Sequence, residues 1–378
     1  MMTKKLLLCA LSAFALTACS DDDDDKTPNP GTIETSEGVF VVNQGQMSQN
    51  IPGSITYIDY KTGSAEQNAF KNVNGIVLGD TPYGAIVHGS KLYVAVQESN
   101  VIHVIDRHTL KSIKMIKPES NQGSHPKHLT AKDGYVYVGM FGDGYVARLD
   151  TLSLTIDKSV KVGPNPEGIA IAGNYIYSAD SDGMNWQNGY GKTVSKINLT
   201  TFEVEKTIEV GLNPTNMVSN GKDVIVACMG NYSTIDPELK RIKADDSVES
   251  VGNGTYIAIK DNNLYTIFSS YVPVMDENGN PVKYEDGTVK MKDTEYWIYN
   301  LTDGTRSTMV SEPVASPTAL AVDPVSGKIF IGSTNGDPMN GWKMPGYINE
   351  YSADGTFVKK YDTGVSPAVF AFNVTEAK

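Results

Sequence analysis

Apolar and polar positions alternate along this chain in short runs, and Gly, Asn, Asp and Pro separate the runs. The runs recur as one module. Its clearest copy is residues 163–210, GPNPEGIAIAGNYIYSADSDGMNWQNGYGKTVSKINLTTFEVEKTIEV. A Gly-x-x-Pro turn opens it. Residues 168–172 and 175–179 then read as two strands joined by Gly173-Asn174. A long polar loop leads to two more strands, at 193–199 and 204–210. Four strands joined by turns make one sheet of a propeller blade.

The opening recurs at Pro82, Pro126, Pro166, Pro214, Pro317 and Pro367, each followed by a small-apolar strand. The first four prolines are 44, 40 and 48 residues apart. A period near 45 with four short strands per unit signals a propeller rather than a helical solenoid. Proline suits the position, because it fixes φ where the chain turns inward and lacks a donor where the strand is not yet paired. Asn253 opens an irregular fifth unit, so the starts number seven. The first strands, at 39–43, 54–60 and about 65–70, have no proline strand before them, and the last, at 365–373, has nothing after it. Together they make one blade. The expected fold is therefore all-β, a seven-bladed β-propeller closed by pairing of the N-terminal strands with the C-terminal strand, which leaves no sheet edge around the ring.

Two units depart from the pattern. The fifth carries an insertion, 275–293, with the hairpin dipeptides Asn278-Gly279 and Asp286-Gly287. Its Asp276-x-Asn278-x-Asn280 lacks the glycine and glutamate of a calcium loop, so an exposed hairpin is expected. In the fourth, the polar stretch 235–248 reads as a loop with one poor strand. No helical apolar period appears after the leader.

The leader changes the picture of where the propeller works. Residues 1–18 have a basic start, Lys4-Lys5, and a short apolar run, the pattern of a signal peptide. Leu16-Thr17-Ala18-Cys19 resembles the bacterial lipobox, which would make Cys19 the lipid-bearing N-terminus; the alternative is an ordinary secretory leader with a chance cysteine. Residues 19–37 are then a lipidated acidic tether, including Asp21-Asp22-Asp23-Asp24-Asp25, and 38–378 the propeller. Without the leader, 30 basic and 44 acidic side chains leave a net charge near −14, which argues against nucleic acid as a partner. Of the three cysteines only Cys228 lies in the body, where it ends an apolar strand and reads as core.

In a propeller the loop between second and third strands opens on the same face as the turn before the inner strand. The long loops of that face carry Trp186 and Trp342, two of the chain's three tryptophans. The opposite face has tight turns such as Gly173-Asn174. Long loops on one rim are where a rigid scaffold places binding residues. The candidate ligand-binding residues are Trp186, Trp342, Asn185, Tyr190, Met339, Phe141, Tyr232, Gln46 and Gln97. The alternative for each tryptophan is packing onto a neighbouring blade. Amide and aromatic groups suit a large neutral ligand with apolar surface and polar rim groups. Catalytic groupings are not found. His88 and His103 sit in strand patterns, His108 lies on the opposite rim, and of the histidines only His125 is placed toward the loop rim. The inner-strand starts carry mainly Asn, Pro, Gly and Ser, so the chain reads as a binding protein, not an enzyme, with no metal or cofactor of its own.

On the Gly-x-x-Pro repeat, the chain resembles the YncE-like seven-bladed propellers over almost all of 38–373. With the lipobox, acidic run and amide-rich loops, it is also similar to the surface lipoproteins of gut Bacteroides, most of all to the BtuG group. That resemblance implies capture of vitamin B12 (cobalamin) as ligand, delivery to a BtuB-type TonB-dependent transporter, and lipid anchoring at the surface of the outer membrane. The competing readings are a propeller adaptor for a partner protein or glycan, and a propeller enzyme such as a lactonase or lyase.

Overall fold

The computed structural model describes residues 34–337 and 339–376. The leader and Cys19 lie outside them. Twenty-eight strands form seven four-stranded sheets, each antiparallel throughout. Six blades take four consecutive strands each. They are numbered here by their inner strands: Pro82–His88, Pro126–Lys132, Pro166–Ala172, Pro214–Ser219, Tyr256–Lys260 and Pro317–Val322. The seventh joins the two ends of the chain. Its inner strand is Pro367–Glu376, and its other strands are Glu34–Asn43, Ser54–Asp59 and Ser64–Glu66.

The closing pair is in register from Gly38 to Val42, between a shift at either end, with Val39 opposite Phe372 and Val41 opposite Phe370. It is locked from both sides. Asp323 of blade 6, fully buried, accepts hydrogen bonds from Ser36 Oγ at 2.8 Å and Tyr60 OH at 3.0 Å. Phe330 of blade 6 packs on Tyr60, Phe370 and Phe372. On the other flank, the Arg107 guanidinium of blade 1 donates to the Val374 carbonyl. The core lies between blades, in apolar clusters that join each sheet to the next. Each large side chain buried there contributes about 1.5–3 kcal/mol.

Every inner-strand proline pairs with the last residue of its blade's second strand: Pro82 with Val96, Pro126 with Met140, Pro166 with Asp180 and Pro214 with Cys228. The repeat glycine lets the incoming chain lie against that residue. A Cβ on Gly163 would stand 2.4 Å from Asp180 Cγ, and one on Gly211 2.8 Å from Cys228 Cβ.

The structure differs from the sequence expectation in two places. The run at 65–70 is not one strand. The strand stops at Glu66, and Ala69–Asn74 is a short helix that buries Ala69 and Phe70, the latter edge-on to His103. Six residues are too few to show a helical apolar period. Blade 4 has two outer strands, Glu238–Ile242 and Val248–Gly252, where one poor strand was expected. They look polar because Arg241 bridges Asp223 and Glu249 across them, while Leu239 and Ile242 alone go inward. Blade 5 has Thr255 in the proline's place, its hydroxyl donating to the Ser269 carbonyl. The insertion of blade 5 folds as two small hairpins, bridged at Met275–Pro281 and Lys283–Val289. The Asp276 carboxylate accepts from the backbone N–H of Asn278 and Asn280, which makes that motif a turn cap.

Candidate functional site

The loop face is built by one repeated device. On every proline-opened blade but blade 6 the residue before the proline adopts left-handed φ: Thr81 at 59°, His125 at 55°, Asn165 at 49°, Asn213 at 58° and Ser366 at 56°. Its carbonyl then accepts the N–H of the residue that follows the second strand. The pairs are Gln97 to Thr81 at 3.0 Å, Phe141 to His125 at 3.0 Å, Ser181 to Asn165 at 3.3 Å and Met229 to Asn213 at 2.9 Å. Each second-to-third loop is thereby tied to the inner strand of its own blade. Asn tolerates this backbone, whereas a β-branched Thr81 is strained in it.

Just inside the proline the register slips, between Pro82 and Gly84, Pro126 and Leu129, and Pro166 and Ile169. A bulge frees a side chain from the pleat and re-aims it. The freed residues on three adjacent blades are Tyr83, Lys127 and Glu167. They meet at the mouth of the central channel. Lys127 Nζ lies 2.5 Å from Glu167 Oε2, 4.3 Å from the centre of the Tyr83 ring and 4.4 Å from that of Phe141. Lys127 is only 6% exposed. His128, beside it, is pushed down to about 4 by burial and by the Lys127 charge, so it is neutral at pH 7.

Next to this ion pair an aromatic run crosses three loops. Tyr190 of blade 3 meets Tyr232 of blade 4 edge to face at 5.9 Å, and Tyr232 meets Tyr271 of blade 5 at 5.3 Å. Tyr232 and Tyr271 are exposed. The Asn213 amide lies by the Tyr232 hydroxyl. Tyr256 sits among Tyr271, Tyr83 and Tyr232, its hydroxyl raised by burial first and then by those neighbours. One buried amide atom of this face, Gln97 Oε1, has no hydrogen-bond partner among the described residues. The site thus offers ring faces and edges, an acceptor, a donor and an internally neutralised charge pair.

The candidates divide accordingly. Phe141, Tyr190 and Tyr232 are part of this surface, and Gln97 is buried on blade 1 with its amide nitrogen on Glu98. Trp186 is exposed on the short, kinked 3-10 helix Gly183–Asn188 of blade 3. Asn185 braces that turn, donating to Asp182 and accepting from Asn188. Trp342 and Met339 belong to blade 6, with the indole N–H on the Met339 carbonyl at 3.1 Å. Blades 3 and 6 are not neighbours, so the two tryptophans do not form one platform. Gln46, on blade 7, shapes its own loop by accepting from Ser48. Tyr83, Lys127, Glu167, Tyr256 and Tyr271 were not foreseen. The inner-strand starts are not only Asn, Pro, Gly and Ser, and the residue directly after each proline was the signal.

At the other end the channel changes character. A cavity of about 360 Å³ there is lined by Ile169, Ile171, Met217, Ile257, Leu320 and Val322 among others. No group of three or more His, Cys, Asp or Glu among the described residues is arranged to hold a metal ion. Burial pushes the Cys228 thiol up to about 12, as a core cysteine requires. No helix among the described residues is long and apolar enough to cross a membrane.

One solved structure supports the architecture. The fold is similar to that of a chain of Kuenenia stuttgartiensis hydrazine synthase, at 16% identity and a TM-score of 0.58, over 79% of this chain and 95% of that one. It is also similar to the computationally designed Ika8 protein, at 14% identity and a TM-score of 0.49, over 77% of this chain and 89% of that one. Such identities speak to fold alone. No curated protein matches the sequence. One family model, described as a domain of unknown function, matches residues 37–373, so the chain belongs to the DUF5074 family.

Proposed function

We propose that this propeller is a ligand-capturing surface lipoprotein whose ligand is cobalamin, taken on the loop face. The protein passes it to a BtuB-type TonB-dependent transporter and is held to the outer membrane through a lipid on Cys19. The observation that carries this reading is the edge-to-face run Tyr190–Tyr232–Tyr271 beside the neutralised Lys127–Glu167 mouth. A corrin presents an apolar ring rimmed by amides. Tyrosine rings match the first, and the Gln97 amide oxygen with the tyrosine hydroxyls matches the second. The resemblance to YncE-like propellers and to the BtuG group of Bacteroides points the same way. No catalytic step is assigned.

The test is a calorimetric titration of the full chain with cyanocobalamin. Aromatic anchors in a desolvated contact carry about 2 kcal/mol or more. Tyr232→Ala should therefore weaken binding about 30-fold or more. Trp186→Ala should weaken it less, because Trp186 makes no ring contact with the tyrosine run among the described residues. Asn174→Ala, on the opposite face, should change nothing. Absence of any heat with cobalamin at micromolar concentration would replace this reading with an adaptor for a partner protein or glycan. That second reading has its own observation, the exposed Met275, Tyr284 and Met291 on the blade 5 insertion.

A further inference from the structure

We infer that the shoulder between blades 6 and 7 is a second binding site, separate from the tyrosine run, for a small amphipathic carboxylate of the medium-chain fatty acid type. A cavity of about 260 Å³ opens there. At about 30 Å³ per water it has the liquid volume of roughly nine waters, room for an alkyl chain but not for a corrin. Its walls are apolar: Ile51 and Pro52 from a blade 7 loop, Phe70 from the short helix, Val77 and Leu78 from the linker to blade 1, and Val365 from the strand entering the closing blade. A concave, mostly apolar slot of this kind accepts an apolar guest.

The cavity has a frame that keeps it open. The helix Ala69–Asn74 takes over where the blade's outer strand has stopped, and it is pinned at both ends. Asn74 Nδ2 donates to the carbonyls of Phe70 and Leu110, each at 2.8 Å, and Gln67 Nε2 donates to the Asp362 carbonyl. Gly364 supplies close approach on the far wall, where a Cβ would stand 2.5 Å from Ser54 Oγ. Neither wall can therefore move in to fill the space.

Charge selects the guest. Lys71 lines the cavity from the helix, and its ammonium has no hydrogen bond or ion pair with any described residue. Asn68 lines it one turn earlier. An apolar slot with one unpaired ammonium at its edge is complementary to a chain that ends in a carboxylate, and it disfavours a chain that ends in an amine. Val73 and Ile76, 44% and 51% exposed, continue the apolar surface outward from the helix. Blade 7 lies across the ring from the blades that carry Tyr190, Tyr232 and Tyr271, so the two sites are independent.

The experiment titrates the full chain with decanoate and, as the uncharged comparison, decanol. Saturable one-to-one binding of decanoate below millimolar concentration is expected, with a negative heat-capacity change from apolar burial. Lys71→Met should weaken decanoate about five- to tenfold and leave decanol unchanged, since it removes one charge-assisted hydrogen bond. Val77→Trp should fill the mouth and abolish both. Each substitution is at an exposed position, and circular dichroism checks that the fold is kept. Cobalamin titration of the same variants should match the unaltered protein, which separates failure here from failure of the cobalamin reading. The inference is overturned if decanoate gives no saturable heat up to millimolar concentration, if Val77→Trp binds it unchanged, or if Lys71→Met weakens decanol as much as decanoate.

Discussion

The ion pair at the channel mouth makes a sharp prediction about stability. Lys127 and Glu167 stand on adjacent inner strands, with side chains 7% and 13% exposed and 2.5 Å between Nζ and Oε2. Removing one partner of a buried pair leaves an uncompensated charge and costs about 3–5 kcal/mol. In Glu167→Gln the ammonium keeps the faces of Tyr83 and Phe141, at 4.3 and 4.4 Å. Desolvated cation–π contacts contribute about 2 kcal/mol, so the cost should fall at the low end, about 3 kcal/mol. Lys127→Met keeps the stem's bulk against the same rings and leaves the carboxylate alone, at a similar cost. Removing both charges should be nearly neutral, because replacing a buried pair by groups of similar volume often is.

The assay is urea unfolding followed by tryptophan fluorescence and far-ultraviolet circular dichroism, on both single variants and the double variant. The double variant should lie within about 1 kcal/mol of the unaltered protein, far from the sum of the singles. A double variant as unstable as that sum would refute the reasoning. The pair would then be two independent packing contributions rather than one unit. Single variants that cost less than about 1 kcal/mol would refute it in another way, by showing that water reaches the mouth and screens it.

The remaining predictions test other parts of the chain. Burial pushes the Asp180 carboxyl up to about 7, while Ser195 Oγ donates to it at 2.7 Å. A folded-state value above the unfolded one means the folded state holds the proton more tightly. That stability is full below about pH 4 and is lost as pH rises through about 7, by about 4 kcal/mol. Asp180→Asn should flatten the dependence, and an unchanged slope in urea midpoints from pH 4 to 8 would sink the assignment. Deleting residues 365–378 should strip the inner strand from blade 7, expose the edge of Glu34–Asn43 and cost several kcal/mol; an unchanged melting temperature would show that the ring does not depend on this closure. Cys19→Ala should move the protein from the membrane fraction to the soluble one, and retention after a salt wash would remove the lipid anchor from the proposal.

The proline period, the number of blades and the closure were readable in the sequence because each rests on local chemistry repeated at a fixed interval. The site was less so, for reasons that differ by residue. Tyr83, Lys127 and Glu167 follow their prolines directly, but in a regular strand adjacent side chains point to opposite faces. Only the register slip at each bulge brings these residues to one mouth, and the slip depends on partner strands far along the chain. Tyr271 stands at the entrance of the insertion, outside any repeated strand, so the blade period does not mark it. Trp186 and Trp342 were assigned to the correct face for the reason that loop side follows from strand order. Their separation was also in the sequence, since counting blades puts them three units apart.

The same bulge explains why the channel has two unlike ends. Above it, inner-strand residues leave the regular pleat and can be large or charged, because each finds a neighbour from the next blade: Lys127 reaches Tyr83 behind it and Glu167 ahead of it. Below it, the inner strands run in regular antiparallel pairing. Ile169, Ile171, Ile257, Ile259, Leu320 and Val322 line the channel there. Ala170, Ala258 and Ala321, between them in sequence, line the same cavity. The lower wall is lined by aliphatic and small residues with Thr130 and Ser219, whereas the upper end supplies rings and an amide oxygen. Ligand specificity can therefore change by substitution at the pre-proline residue, the post-proline residue and the loop tied to them. The lower channel, whose packing joins blade to blade, has to stay as it is.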